Sequence, residues 1–207
     1  MNDFLKAMHF RHACKIFDEN KKISNEQFLE ILESGRMSPS SMGVEPTRFL
    51  VIQDKGLKER LREACWNQIQ ITSCSHLVVL KSLIQPVTPP SSYMDRVSLR
   101  RGKNDGEQKK WVGYYNKFLK SNEARGISVR NWVEKQAYIA ASSMMNYAAF
   151  IGIDSCPIEG FEAKQVDEIL QIDTFKECVS IILCFGYRIK EQQKRYRLSL
   201  DELVEYR

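Results

Sequence analysis

The apolar positions along the chain fall into two rhythms, and their order predicts a mixed α and β protein. Phe4, Leu5 and Met8 recur at helical spacing between Asn2 and Phe10, predicting a short amphipathic helix. Ser24 with Gln27 forms a capping-box start, Phe28, Ile31 and Leu32 line one face, and Gly35 stands as the stop, which predicts a second helix. Phe49–Ile52 reads as a buried strand. Lys55–Ala64 predicts a charged amphipathic helix with Leu57 and Leu61 inward, and Trp66, Asn67 and Gln70 continue at helical spacing. His76–Leu80 reads as a second buried strand, with His76 a structural histidine at its edge.

The longest pattern begins at Ser128 and runs through Trp132, Gln136, Ile139, Met144, Tyr147 and Ile151 to a stop at Gly152. Small and apolar residues occupy nearly every side of it, so this helix is expected to be central or at a subunit interface. A short helix around Val166–Leu170 follows, then Val179–Phe185 reads as a third buried strand closed by Gly186. Between the second strand and the long helix, Gln85–Gly126 is the least patterned part. There Trp111, Tyr114, Tyr115 and Phe118 form an aromatic face, which predicts either core or a mobile flap over a site. The tail from Arg188 is basic as far as Arg197, after which Leu198, Leu200, Leu203 and Val204 resume an apolar rhythm.

Composition narrows the class. At 207 residues with a formal charge of +5, the chain suits one globular domain and an anionic small ligand as well as it suits nucleic acid. No apolar run approaches the length of a membrane span, and Asp3, Lys6, His9 and Arg11 interrupt any signal-like stretch, so a cytoplasmic protein is expected. Six cysteines are scattered without paired spacing, which predicts buried free thiols, and no metal-ligand set recurs.

The candidate chemistry gathers at Pro157-Ile158-Glu159-Gly160-Phe161, a turn-like stretch after the long helix. Pro157 has a fixed backbone angle and Gly160 has no side chain, so a flat ligand could approach this backbone closely. Arg11 and Lys15, a planar fork and a point charge, could clamp a phosphate. The hydroxyl-rich segment Ser38–Gly43 supplies small donors.

Four motifs in this order, Arg11-His12-x-x-Lys15-x-Phe17-Asp18, Ser38-Pro39-Ser40-Ser41-x-x-x-x-Pro46, Gly152-Ile153-Asp154-x-x-Pro157-Ile158-Glu159-Gly160-Phe161, and Gly186-Tyr187 with Arg195-x-Arg197, make a chain that resembles the nitroreductase family of FMN-dependent, NAD(P)H-using oxidoreductases. The resemblance implies an α+β fold with a central, mainly antiparallel sheet wrapped by helices. It also implies a homodimer with the long helix at its core and the 188–207 tail on the partner. The whole chain, 1–207, would be one FMN-binding domain, with 85–126 a variable flap.

Carried over by the same resemblance, Arg11, Lys15, Arg197 and more weakly Arg195 would hold the FMN phosphate, with His12 and Ala13 beside them. Pro39, Ser40 and Ser41 would line the flavin from the other protomer, Gly43 stands where many members contact its pyrimidine end, Asn67 would touch its edge, and Gln70 falls where some relatives carry lysine. Pro157 and Ile158 would pack on one face of the ring, while the N–H groups of Glu159 and Gly160 would bond its reactive edge, with Glu159 a positioning residue. NADPH or NADH would then reduce FMN, and nitroaromatic, nitroheterocyclic or quinone acceptors would reoxidise it in ping-pong fashion. Tyr114, Tyr115 and Phe118 are candidate substrate residues.

Ala13, Gly43, Glu45 and Thr47 depart from the usual family residues, which leaves a flavin carrier or sensor without efficient turnover as the alternative. A nucleic-acid module using the basic tail and the run from Arg96 to Lys110 is a third reading. It is weakened by the interspersed Asp105, Glu107 and Glu191.

Overall fold

The computed structural model describes residues 1–102 and 104–207. Its centre is a four-stranded sheet in the order β1-β2-β4-β3, antiparallel at every pairing. The strands are β1 (Thr47–Ile52), β2 (His76–Leu83), β3 (Asp154–Ile158) and β4 (Glu177–Gly186). Helices α1 (Asp3–Phe10), α2 (Asn25–Arg36), α3 (Lys55–Ala64), α4 (Gln70–Ser73), α5 (Ser92–Leu99), α6 (Asp105–Ala124), α7 (Val129–Phe150), α8 (Ala163–Leu170) and α9 (Leu200–Leu203) complete the described elements.

The two central strands have apolar residues on both faces, which is why they read as continuous runs and not as alternation. Leu77 and Val79 of β2 pack with Ile71, Leu61 and Val166, so α3, α4 and α8 cover one face. Val78 and Leu80, one residue out of phase, pack with Phe28, Ile31, Ala141 and Met144, so α2 and α7 cover the other. Ser24 caps α2 and Ser128 caps α7, each accepting a bond from the backbone N–H three residues on. The α+β architecture with an antiparallel sheet wrapped by helices stands as expected.

Four local expectations are corrected by packing. Gly35 does not stop α2, which continues through Arg36; a Cβ there would lie 2.7 Å from Met144 Cγ and 2.8 Å from Phe49 Cζ, so the glycine permits close approach of α2 to α7 and β1. β1 is an edge strand, half-buried except at Ile52. Trp66 and Asn67 do not extend α3: both adopt left-handed backbone, with φ of 54° and 55°, and reverse the chain before α4. Pro157 and Ile158 belong to a fourth strand, the outer edge strand β3, where a proline has no sheet neighbour to deprive of an N–H.

For the aromatic face within 85–126, packing favours the core reading at Tyr115 and Phe118. This region folds into α5 and α6, and Tyr115 is fully buried with its hydroxyl donating to the Val87 carbonyl at 2.7 Å. Tyr115 stacks on Trp111 and lies near Trp132 of α7, while Phe118 meets Trp132 edge-on, 5.4 Å between centroids. Phe118 and Tyr115 therefore build a third apolar cluster with Val44, Met94 and Val133, and of the three candidate substrate aromatics only Tyr114 is exposed. Two arginines of the run from Arg96 to Lys110 are engaged within the chain: Arg100 pairs with Glu45, and Arg101 bonds the Met42 and Gly43 carbonyls. All six cysteines are buried free thiols.

Candidate active site: a cationic cleft at the outer edge of β3

The outer edge of β3 has no strand beside it, and two irregular segments use it instead. Ala13 forms a parallel bridge with Ser155, and the Cys14 N–H donates to the Ser155 carbonyl at 3.0 Å. Phe17 bridges Arg188, so the start of the tail is held against the same segment. Between 11–16 and 190–197 opens a cleft of about 690 Å³ whose floor includes Pro157.

Six basic side chains line this cleft, Arg11, Lys15, Lys190, Lys194, Arg195 and Arg197, against the single carboxylate of Glu191. Among the described residues none of the six has a carboxylate within ion-pair distance. Burial, and then the nearby charges of Arg195 and Arg197, push the Arg11 guanidinium below its ordinary value, the mark of cations crowded without a counter-charge. Arg195 is partly committed, since its guanidinium donates to the Met8 carbonyl at 2.7 Å and to that of His9 at 3.4 Å, capping the end of α1. Arg197 donates only to the Tyr196 carbonyl. Arg11, Lys15, Lys190, Lys194 and Arg197 are thus left without an anionic partner among the described residues, and a dianionic phosphate would meet Arg11, Lys15 and Arg197 as charge-assisted donors.

Beyond Pro157 the alternation of β3 decides what faces outward. Pro157 lines the cleft, but the Ile158 side chain points into the core and is 1% exposed, so only its backbone could touch a ligand. Among the described residues the N–H groups of Glu159 and Gly160 have no acceptor. The Glu159 carboxylate instead accepts from the Tyr138 hydroxyl of α7, and burial followed by that contact pushes the Tyr138 phenol well up, so it stays protonated. Gly160 is a close-approach position for a reason inside the chain: a Cβ would lie 2.5 Å from Trp66 Cζ3. That indole stands over the turn, tied by its N–H to Glu162 at 2.7 Å, and Gln68 donates to the Gly160 carbonyl at 2.8 Å.

The remaining candidates do not join this cleft within one chain. Pro39 and Ser40 line a separate cleft of about 280 Å³ with Arg36, Thr47 and Gln136. There Ser40 Oγ accepts from the Glu45 N–H at 3.0 Å and the Ser41 N–H donates to Gln136 Oε1 at 2.8 Å. Gly43 has φ +57° and lies against the Arg101 guanidinium. Asn67 is exposed, whereas Gln70 is buried with its amide 4.0 Å from Cys156 Sγ. His12 lines the cationic cleft, its Nδ1 3.6 Å from Asp154. Sequence spacing gave no role to Trp66, Tyr138, Asp154 or Arg188, because each acts through a partner 21 or more residues away.

The Nitroreductase family model matches residues 8–187, which includes the 11–15 loop, all four strands and the Pro157 edge. The chain belongs to the nitroreductase family. This nitroreductase-family protein is 40% identical over 213 residues to a Staphylococcus epidermidis protein named "Putative NAD(P)H nitroreductase", with 98% of this chain and 96% of that one covered. It is 38% identical to the similarly named YfkO of Bacillus subtilis, covering 98% and 96%. Among solved structures, a nitroreductase-type protein of Exiguobacterium sibiricum crystallised in complex with FMN superposes with a TM-score of 0.80 at 22% identity, covering 100% and 98%, which shows a shared fold.

Proposed function

We propose that this nitroreductase-family protein is an FMN-dependent oxidoreductase that uses NADPH or NADH to reduce nitroaromatic, nitroheterocyclic or quinone acceptors in a two-electron, ping-pong manner. The observation that carries this reading is the cluster of unpaired cations beside β3, followed along the same edge by two unsatisfied N–H donors. Arg11, Lys15 and Arg197 would hold the FMN phosphate, and Pro157 would back the ring. The Glu159 and Gly160 N–H groups would supply donors at its reactive edge. Bound FMN would supply the redox chemistry, taking two electrons from the nicotinamide and passing them to the acceptor. The protein's part is to bind, orient and stabilise charge: fixed donors cost no reorganisation when negative charge develops near them. Tyr138 holds the Glu159 carboxylate and so steadies the peptide that offers those donors.

The working unit we propose is a homodimer. Phe4 and Leu5 of α1, Ile139 and Phe150 of α7, and Leu198, Leu200 and Leu203 of the tail are exposed apolar side chains. The Pro39–Ser41 segment lies in a different cleft from Arg11, which supports a site completed by the segment of a second copy. Among the described residues no helix is long and apolar enough to cross a membrane.

The visible spectrum of freshly purified protein tests the reading, followed by anaerobic addition of NADPH and then NADH. Flavin bands that bleach, and recover with a nitroaromatic or quinone, are expected. A colourless protein that takes up no added FMN would overturn the assignment, while bound flavin that neither nucleotide reduces would favour a carrier or sensor. Gel filtration at twice the chain mass is expected for the dimer.

A further inference from the structure

Behind the cationic cleft lies a charge cluster that the proposed binding residues do not include. Asp154 opens β3 with its side chain 3% exposed. Arg188 grips it twice, through its own N–H to Oδ2 at 2.9 Å and through Nη2 to Oδ1 at 2.6 Å. The same guanidinium donates to the Phe10 carbonyl at 3.5 Å and lies over the Phe10 ring, 4.2 Å from its centroid. His12 Nδ1 lies 3.6 Å from the same Oδ1, beyond hydrogen-bond reach. Phe10 is the last residue of α1 and precedes Arg11, and Arg188 opens the segment that leads to Arg195 and Arg197. One buried carboxylate therefore ties both walls of the cleft to the end of β3.

We propose that Asp154 is a positioning residue for the anion site: by holding Arg188, which in turn engages Phe10 just before the 11–15 loop, it fixes that loop and the start of the tail at the separation a phosphate needs. The proposal rests on the reading of the cleft as the FMN phosphate site. Two physical effects predict opposite signs. Asp154 is a negative charge behind the cleft, so removing it would strengthen attraction for an anion if electrostatics alone mattered. Removing it also leaves Arg188, a cation whose side chain is only 17% exposed, without its partner, and the two walls lose their common anchor. Positioning makes the second effect dominate.

The test is titration of Asp154→Asn and the parent protein, each freed of flavin, with FMN and with riboflavin, which lacks the phosphate. Expected is an FMN Kd raised about tenfold or more, the scale of losing an orienting partner behind a ligand-binding group. The riboflavin Kd is expected to change less than about twofold, as it must if the defect lies only at the phosphate. Unchanged or tighter FMN binding would overturn the proposal, as would equal weakening of both flavins, which would mean general loosening. Should Asp154→Asn fail to fold, Arg188→Lys keeps the charge but loses the fork that spans Asp154 and Phe10, and the same selective loss for FMN is expected; FMN binding at the parent level would refute the role. If the parent binds neither flavin, the flavin reading fails separately. The thermal shift produced by inorganic phosphate then decides on Asp154: a shift retained in full by Asp154→Asn would overturn it.

Discussion

Substituting Gly160 with alanine isolates the packing of Trp66 on the turn that follows β3. Gly160 sits on a backbone that an L residue adopts without strain, since it is not among the positive-φ positions. The substitution therefore tests space and not conformation. An added Cβ would lie 2.5 Å from Trp66 Cζ3, 2.6 Å from Cε3 and 3.3 Å from Gln68 Nε2. Trp66 is 63% exposed, so the indole can swing outward, losing its bond to Glu162 and its contact with the turn. Overpacking of this kind costs about 1–3 kcal/mol, offset by about 0.4–1 kcal/mol because alanine restricts the unfolded chain. A net destabilisation of about 1 kcal/mol is expected, lowering Tm by about 2–4 °C for a chain of this size.

In a Trp66→Ala background the two shortest contacts are gone, leaving the flexible Gln68 amide at 3.3 Å, which can give way, and the unfolded-state effect. There Gly160→Ala is expected to be neutral or stabilising by up to about 1 kcal/mol, so the sign reverses. Urea unfolding of the four proteins in the cycle gives the coupling directly. Equal destabilisation by Gly160→Ala in both backgrounds would refute the assignment of Trp66 as the neighbour that requires a glycine.

Tyr115→Phe removes the side-chain donor to the buried Val87 carbonyl, and a loss of about 1–3 kcal/mol in urea unfolding is expected, with flavin binding unchanged. Arg11→Ala and Lys15→Ala are each expected to weaken FMN binding by about 1.5–3 kcal/mol at low salt, less as salt screens the cleft, and folded variants with full flavin content would show the phosphate is held elsewhere. For pH, burial and then Arg188 push His12 below its ordinary value, and burial and then Lys58 do the same to His76. The unfolded chain then binds more protons from about pH 6.5 down to the folded values, so stability is expected to fall as pH drops through that window. His76→Gln is expected to flatten the fall; urea midpoints equal at pH 7.5 and 5.5 would contradict the sign.

Local periodicity was enough for α1, α3 and α7, and for β2 and β4, because each carries its period and its cap within its own residues. The positions of Arg11, Lys15 and Pro157 in one cleft were reachable from the order of the motifs. Periodicity could not assign β3, since five residues containing a proline hold too little pattern to distinguish a strand from a turn, and only pairing with β4 decides it. Nor could it separate flap from core for the 111–118 aromatics, because Tyr115 is recognised as core only through Val87 and Trp132, far along the chain. The residues themselves determined which groups could bind an anion. Tertiary structure alone decided which of them stayed free to do so, because Arg195 is drawn onto the end of α1 and Ile158 into the core by neighbours that spacing cannot reveal.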